Sequence, residues 1–317
     1  MIRSFLKFLL LLAAGTAFGQ PYPSKPIRLV VAFPPGGPVD IIARLITPRM
    51  SEALGQPIVV ENKTGASGNL AAAQVAKSAA DGYTILAHSS AYAVNSSLFT
   101  DPGYDAQKDF IPVAVIASQP NLILVNAEFP ARSLAELLQM ARAQKLAFAS
   151  PSSGTTPHLT AENLFKVRAK VDITHVPFRG AGPAAAAVLG GEPPIGSMAG
   201  TAPMPHLRSG KLRALAVSSS KRLASLPDVP TLNELGYPDM EDYTWVGLFL
   251  PAGTPAAIAQ KLNDAVIRTV QSADIRERLD GLTFEATAAP LRETADYVKS
   301  ELVKWAKVVR DTGAKAE

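Results

Sequence analysis

Four junctions in this chain of 317 residues share one design: an apolar run stops, small residues follow, and a proline opens a helical pattern. They lie in "FPPGGPVDIIAR" (33 to 44), "SPSSGTTPHL" (150 to 159), "FRGAGPAA" (178 to 185) and "AGTAPMPHL" (199 to 207). Proline suits a first helical turn, where its missing N–H would have had no partner anyway. Each junction therefore presents helix amides and the positive end of a helix dipole, which favour an anion, and glycine lets a guest approach the backbone closely. One exposed helix end contributes only about 0.3 to 1 kcal/mol, whereas micromolar binding needs about 8 kcal/mol. Several such loops must converge on one guest and exclude water.

The candidate binding residues follow from these junctions. Pro35, Gly36 and Gly37 form the first loop, Gly154, Thr155, Thr156 and His158 the second, and Arg179, Gly180 and Ala181 the third. Ser89 and Ser90, with Asn95, follow the run "YTILAHS" and would line the same edge. Arg179 reads equally as a bidentate partner for a carboxylate or as a solvated surface arginine. Asp40 places a carboxylate in the first turn, where it would repel an anion; it reads as a cap of its own helix, paired with Arg44 at i+4. The amides of Gly36 and Gly37 would then meet a guest from the side or through water.

Catalytic and cofactor patterns fail in turn. His88, His158, His175 and His206 form no HExxH and no familiar zinc spacing, so no metal is expected. There is no G-x-S-x-G elbow and no Walker loop. "GAGPAA" (180 to 185) fits G-x-G-x-x-A, yet no acid occurs in Met198 to Met204, about twenty residues on, so no cofactor is expected. With no catalytic residue assigned, the first reading is a binding protein for a small carboxylate. An exported hydrolase or transferase using His158 with Ser153 or Thr155 is the alternative, and a structural envelope protein is a third.

The elements that must position these loops are legible as apolar runs alternating with helical patterns. Strands are expected at 27–33, 57–62, 83–89, 113–118, 122–127, 146–150, 171–178, 212–218 and 243–251. Continuous runs rich in Val, Ile and Leu suit strands covered on both faces, hence parallel α/β sheets. A helix from Val39 should end at Gly55 and kink at Pro48; Ser133 and Glu136 have capping-box spacing; Leu291 to Thr312 reads as a long amphipathic helix closed by Gly313. "VAVIASQPNLILVN" and "YTWVGLFLP" are long enough to pass between two lobes, giving a discontinuous first domain (20–121 and 246–317) around a second (122–245).

The N-terminus reads as a secretory signal over residues 1–19: Arg3 and Lys7, an apolar core from Phe8 to Ala14, and Ala17-Phe18-Gly19 before Gln20. Its removal takes the basic residues from 31 to 29 against 27 acidic ones, a balance that argues against a nucleic-acid partner. The chain has no cysteine, so neither disulfides nor thiolate metal sites arise. A periplasmic monomer is expected.

Taken in order, "FPPGGPVDIIAR", "LGQPIVVENKTGASGNLAAAQVAKSAADGYTIL", "SPSSGTTPHLTAENLF", "VPFRGAGPAAAAVLGG", "GKLRALAVSSSKR" and "LPDVPTLNELGYP" resemble the Bug family, the extracytoplasmic solute receptors of tripartite tricarboxylate transporters. The resemblance covers about residues 22 to 315. It implies a two-domain periplasmic binding protein fold of the α/β class with a ligand cleft between the lobes, and a guest that is a dicarboxylate or an aromatic acid. It also implies a membrane permease as partner, or a role in sensing. On this resemblance Gly36 and Gly37 belong to the first-lobe loop, Ser89 and Ser90 to its neighbour, and Thr155, Thr156, His158, Arg179 and Gly180 to the opposing wall. The chain departs from the family at "EPPIGSMAG", where Pro194 stands in place of a common acid. The strand there should be short or at an edge, and contacts at Gly200 and Thr201 are not carried over.

Overall fold

Alternate residues of one apolar run feed two different cores, which is why the run can be continuous. In β1 (Ile27–Val31), Leu29 and Val31 pack with Ile42, Ile46 and Leu262 on one face, while Val30 packs with Leu86, Tyr92 and Trp305 on the other. The structure is a computed structural model that describes residues 21–316; the expected signal segment lies outside the described residues. After β1 come α1 (Pro38–Leu54), β2 (Ile58–Asn62), α2 (Asn69–Ala76), β3 (Thr84–Ser89) and α3 (Ala91–Leu98). The first-lobe sheet runs β2-β1-β3 with parallel pairing.

A single strand, β4 (Phe110–Asn126), leaves this lobe. It is followed by α4 (Leu134–Ala143), β5 (Leu146–Ser150), α5 (Thr156–Glu162), β6 (Ile173–Pro177), α6 (Ala181–Leu189), β7 (Ile195–Ala199), α7 (Met204–Arg208) and β8 (Leu212–Val217). Here too one strand serves two cores: Ile123 and Val125 pack with Phe148 and Phe165, Leu122 and Leu124 with Ala184 and Val188. The chain then returns along β9 (Tyr243–Pro251) and closes the first lobe with α8 (Ala256–Gln271), α9 (Ala273–Gly281), β10 (Glu285–Ala286) and α10 (Leu291–Thr312).

Two expectations need correction. The sheet is mixed: parallel in β2-β1-β3 and β7-β5-β6, but antiparallel where β9 meets β3 and β4 and where β4 meets β7 and β8. A strand passing from one lobe to another, and the strand that returns, must run in opposite senses. The runs expected at 113–118 and 122–127 are one strand, because Gln119, Pro120 and Asn121 continue extended between Thr244, Tyr243 and Ala199 instead of turning. β7 is short, as expected, but it is central, pairing with both β4 and β5 and buried at all five residues. Pro194 sits just before the strand, and its carbonyl accepts from the Asn126 amide at 2.8 Å.

Several terminators behave as read. Gly55 takes the left-handed conformation at φ 71° and closes α1, which runs on through Pro48, and Gly313 does the same for α10 at φ 63°. The Ser133 hydroxyl accepts from the Glu136 amide at 3.2 Å. No helix among the described residues is long and apolar enough to cross a membrane.

Candidate functional site

The first-lobe loop is fastened from behind. Asp40 is buried in the first turn of α1, where its carboxylate accepts from the Gly36 amide (3.0 Å), from Arg44 Nε (2.9 Å) and from Asn62 Nδ2 (2.9 Å). Asn62 at the end of β2 also donates to the Phe33 carbonyl at 3.0 Å, so both ends of the loop are tied to one amide side chain. Burial alone would raise the carboxyl pKa; the bonds from Arg44, Gly36 and Asn62 outweigh it and hold Asp40 below the ordinary aspartate value. The Gly37 amide turns back to the Pro34 carbonyl at 3.3 Å. With Pro38 lacking an N–H, the loop keeps the first-turn amides of Val39 and Asp40, for which helix geometry supplies no acceptor.

Facing it is the second-lobe wall. β5 ends at Ser150 and β6 at Pro177, and the loops that follow are joined by the Gly180 amide donating to the Pro151 carbonyl at 2.8 Å. Gly180 has φ 118°, a region that disfavours side chains, and a Cβ built there would lie 3.9 Å from Pro34 of the other lobe. Pro34 and Gly180 thus face each other across the two lobes at this point. Gly180 caps α6, leaving the amides of Ala181 and Gly182 without an intrahelical acceptor. Arg179 beside them is exposed and forms no ion pair among the described residues.

Between the walls lies a hollow open to solvent. Of the residues expected there, Pro35, Gly37, Ser89, Thr155, Thr156, Arg179, Gly180 and Ala181 line it. Gly36, Ser90, Gly154 and His158 do not. Gly36 gives its amide to Asp40. Ser90 is fully buried, with its hydroxyl 2.8 Å from that of Thr156. Gly154 packs on α3, where a Cβ would meet Asn95 Oδ1 at 2.7 Å. His158 is buried, accepts from the Gly154 amide at 3.2 Å through Nδ1, and stacks on His175 with ring centroids 3.8 Å apart. Gly200 and Thr201 are likewise absent from the lining, and Thr201 bonds Gln119 instead.

Other lining residues escaped the sequence reading. Phe33, Val39, Ala199 and Thr244 face the hollow, as do the prolines at 34, 38, 151, 157 and 183. The prolines had a signal in the repeated junction pattern, where they counted as punctuation and not as wall. Thr244 had none: it lies in β9 and arrives beside Thr156 (hydroxyls 2.9 Å apart) only through the fold.

A second compartment adjoins the first and shares Phe33, Pro34, Pro151, Arg179 and Gly180 with it. Its far side is the turn Thr64 to Gly68, where Ala66 and Ser67 have φ of 45° and 53°. The Ser67 hydroxyl bridges the lobes, 2.8 Å from that of Ser152 and donating to the Ser153 carbonyl. Beneath the hollow, Ser90, Thr156, Thr244, Asn121, Thr160 and Asp242 form one chain of hydrogen bonds from the first lobe through both crossing strands into the second.

The hydrolytic alternative lacks its geometry. Thr155 Oγ1 donates to the Ser152 carbonyl at 2.8 Å, the Ser153 hydroxyl is buried without a partner among the described residues, and His158 Nδ1 accepts from the Gly154 amide and not from either hydroxyl. Burial, then repulsion from His175 and Lys166, lowers the His158 pKa to about 2, far below that of a general base at neutral pH.

The family model described as "Tripartite tricarboxylate transporter family receptor" matches residues 42–314. Protein BugT of Bordetella pertussis (strain Tohama I) is 38% identical over 306 residues, covering 95% of this chain and 94% of BugT. Among solved structures, the periplasmic binding protein BugD is 31% identical with a TM-score of 0.86, covering 93% of this chain and all of BugD. MatC from Rhodopseudomonas palustris with bound malate is 37% identical with a TM-score of 0.85, covering 91% of this chain and all of MatC. The fold is therefore that of the periplasmic binding proteins.

Proposed function

From the premise that this chain belongs to the tripartite tricarboxylate transporter receptor family, we propose that its cleft captures a small carboxylate, a dicarboxylate or an aromatic acid, for uptake or sensing. The chain is a solute-binding receptor and not an enzyme, as its family and its structural neighbours are. Residues 1–19 act as a signal removed on export to the periplasm, where the mature chain works as a monomer. Its first domain is 20–121 with 246–317, its second 122–245, and a membrane permease receives the closed form.

One observation carries the carboxylate reading: Arg179, free of any acidic partner among the described residues, stands beside the open amides of Ala181 and Gly182, opposite Pro34 of the other lobe. Guanidinium and helix amides together suit a carboxylate's two oxygens, with charge-assisted bonds about twice as strong as neutral ones. Pro35, Gly37, Ser89, Thr155, Thr156 and Gly180 complete the wall, while Gly36, Ser90, Gly154 and His158 hold it in shape from behind. A ligand bridging both walls binds the closed arrangement better than the open one, and that difference drives closure. MatC is similar to this chain and holds malate, which supports a carboxylate guest here.

The test is calorimetric titration of the chain and of Arg179→Ala with malate and with benzoate. A charge-assisted bond contributes about 1.5 to 3 kcal/mol, so the variant should bind its ligand on the order of ten- to a hundredfold more weakly. Its melting temperature without ligand should match the parent, since Arg179 is exposed and unpaired. Equal affinity in the two proteins would remove Arg179 from the site.

A further inference from the structure

Resting on the reading of a cleft that closes on a carboxylate, we infer that Ser67 is a positioning residue for capture: its hydroxyl clasps the two lobes together and sets how long a guest stays, without touching the guest. The backbone around it is unusual. Four consecutive residues have positive φ: Gly65 at 133°, Ala66 at 45°, Ser67 at 53° and Gly68 at 93°. Glycine adopts such angles freely, whereas alanine and serine do so only where their surroundings hold them. Glycine at position 67 would suit the turn better. The serine adds one hydroxyl, and that hydroxyl reaches the other lobe, where it donates to the Ser153 carbonyl and lies 2.8 Å from the Ser152 hydroxyl.

Each half of the clasp is built within its own lobe. On the first-lobe side, the Asn95 amide group donates to the Ser67 carbonyl at 2.9 Å and to Asn69 Oδ1 at 2.8 Å, and the Gly68 amide returns to the Gly65 carbonyl at 3.0 Å. On the second-lobe side, the Ser152 carbonyl accepts from Ser150 Oγ at 3.2 Å and from Thr155 Oγ1 at 2.8 Å. The bonds that cross the gap here are those of the Ser67 hydroxyl. Parting the lobes at this point breaks them and leaves both turns intact. Ser67 and Ser152 are each half-buried, so water can replace the lost bonds on opening. Two preformed halves also lose little freedom when they meet again.

The clasp reaches the hollow through Thr155, which lines it and whose hydroxyl holds the Ser152 carbonyl. When Ser67 engages Ser152 and Ser153, it fixes the wall to which Thr155 belongs. Ser67 itself faces the neighbouring compartment with its hydroxyl already spent on the other lobe. A bond made in one arrangement of the lobes and not in the other biases the equilibrium between them, as a ligand does through its differential affinity. The clasp therefore multiplies the lifetime of every bound acid by the same factor, whatever the acid's chemistry.

The experiment measures association and dissociation rates of malate and benzoate with the parent chain, Ser67→Ala and Ser67→Gly. Both variants should release ligand about two- to tenfold faster, the worth of one ordinary hydrogen bond, with association unchanged and one factor for each acid that binds. Since glycine suits φ 53°, release at the parent rate by Ser67→Gly would place any effect of Ser67→Ala in the backbone and overturn the hydroxyl clasp. A factor that differs from acid to acid would overturn it as well. The chain has no cysteine, so Ser67→Cys combined with Ser152→Cys offers a single intramolecular disulfide. Oxidised after loading with ligand, this variant should release it more slowly by on the order of tenfold or more, and reduction should restore the rate. Unslowed release from the cross-linked protein, or a pair that does not oxidise, would overturn the clasp while leaving a carboxylate receptor in place. No binding of either acid by the parent would bring down the carboxylate reading and this inference together.

Discussion

His158 and His175 are neutral partners held in a stack, and burial is what keeps them so. It lowers the pKa of His158 to about 2 and of His175 to about 4, with Lys166 adding to both and His175 adding to that of His158. An unfolded histidine titrates near 6.5, so the unfolded chain binds more protons than the folded one below that pH. Stability should therefore be fully present above pH 6.5 and decline as the pH falls toward 4, by at most about 1.4 kcal/mol per pH unit for each imidazole. Melting temperature measured from pH 7.5 to 4.5 checks this. His158→Gln, which keeps an acceptor for the Gly154 amide, should flatten the decline; an equally steep profile in that variant would show that His158 does not contribute. At this scale the sequence was readable where a residue serves its own helix, as Asp40 does with Arg44 four residues on. It was unreadable where the partner is distant, as with Asn62, which reaches back to Phe33 and Asp40, or His158, whose stacking partner lies in β6.

The elements that matter most are the two strands crossing between lobes. β4 carries Asn121 and β9 carries Thr244, and these meet α5 through Thr160 and Thr156 in the buried chain of hydrogen bonds under the cleft. Thr156→Val keeps the volume but removes the hydroxyl, leaving Ser90 without its partner in a fully buried site. An unsatisfied buried polar group costs about 1 to 3 kcal/mol, so the variant should unfold at correspondingly lower denaturant, and ligand should recover only part of the loss. A midpoint equal to the parent's would mean the bond contributes nothing to stability. Helices with caps and continuous apolar runs were legible in advance, since capping and burial are local properties. Antiparallel pairing at β4 and β9 was not, because strand sense depends on which lobe the chain is entering, and no local pattern records that.

On the scale of the whole molecule, two α/β lobes with two cores apiece meet along a cleft whose rims face each other at Pro34 and Gly180 and bond across Ser67 and Ser152. The repeated strand, small residues and proline in the sequence foretold the rims, since they describe helix ends at the mouth of a sheet. They did not foretell that the wall between those ends would be mostly proline, because the same residues serve as helix starts and as apolar surface. The central claim is that one carboxylate is held between these rims by Arg179 and the first amides of α6. A crystal structure of the chain grown with its tightest-binding acid tests it most directly. The account predicts the carboxylate within hydrogen-bonding distance of the Arg179 guanidinium and the Ala181 amide, with the remainder of the molecule against Phe33, Pro34 and Pro183. An acid bound away from Arg179, or outside the space between the two lobes, would contradict it.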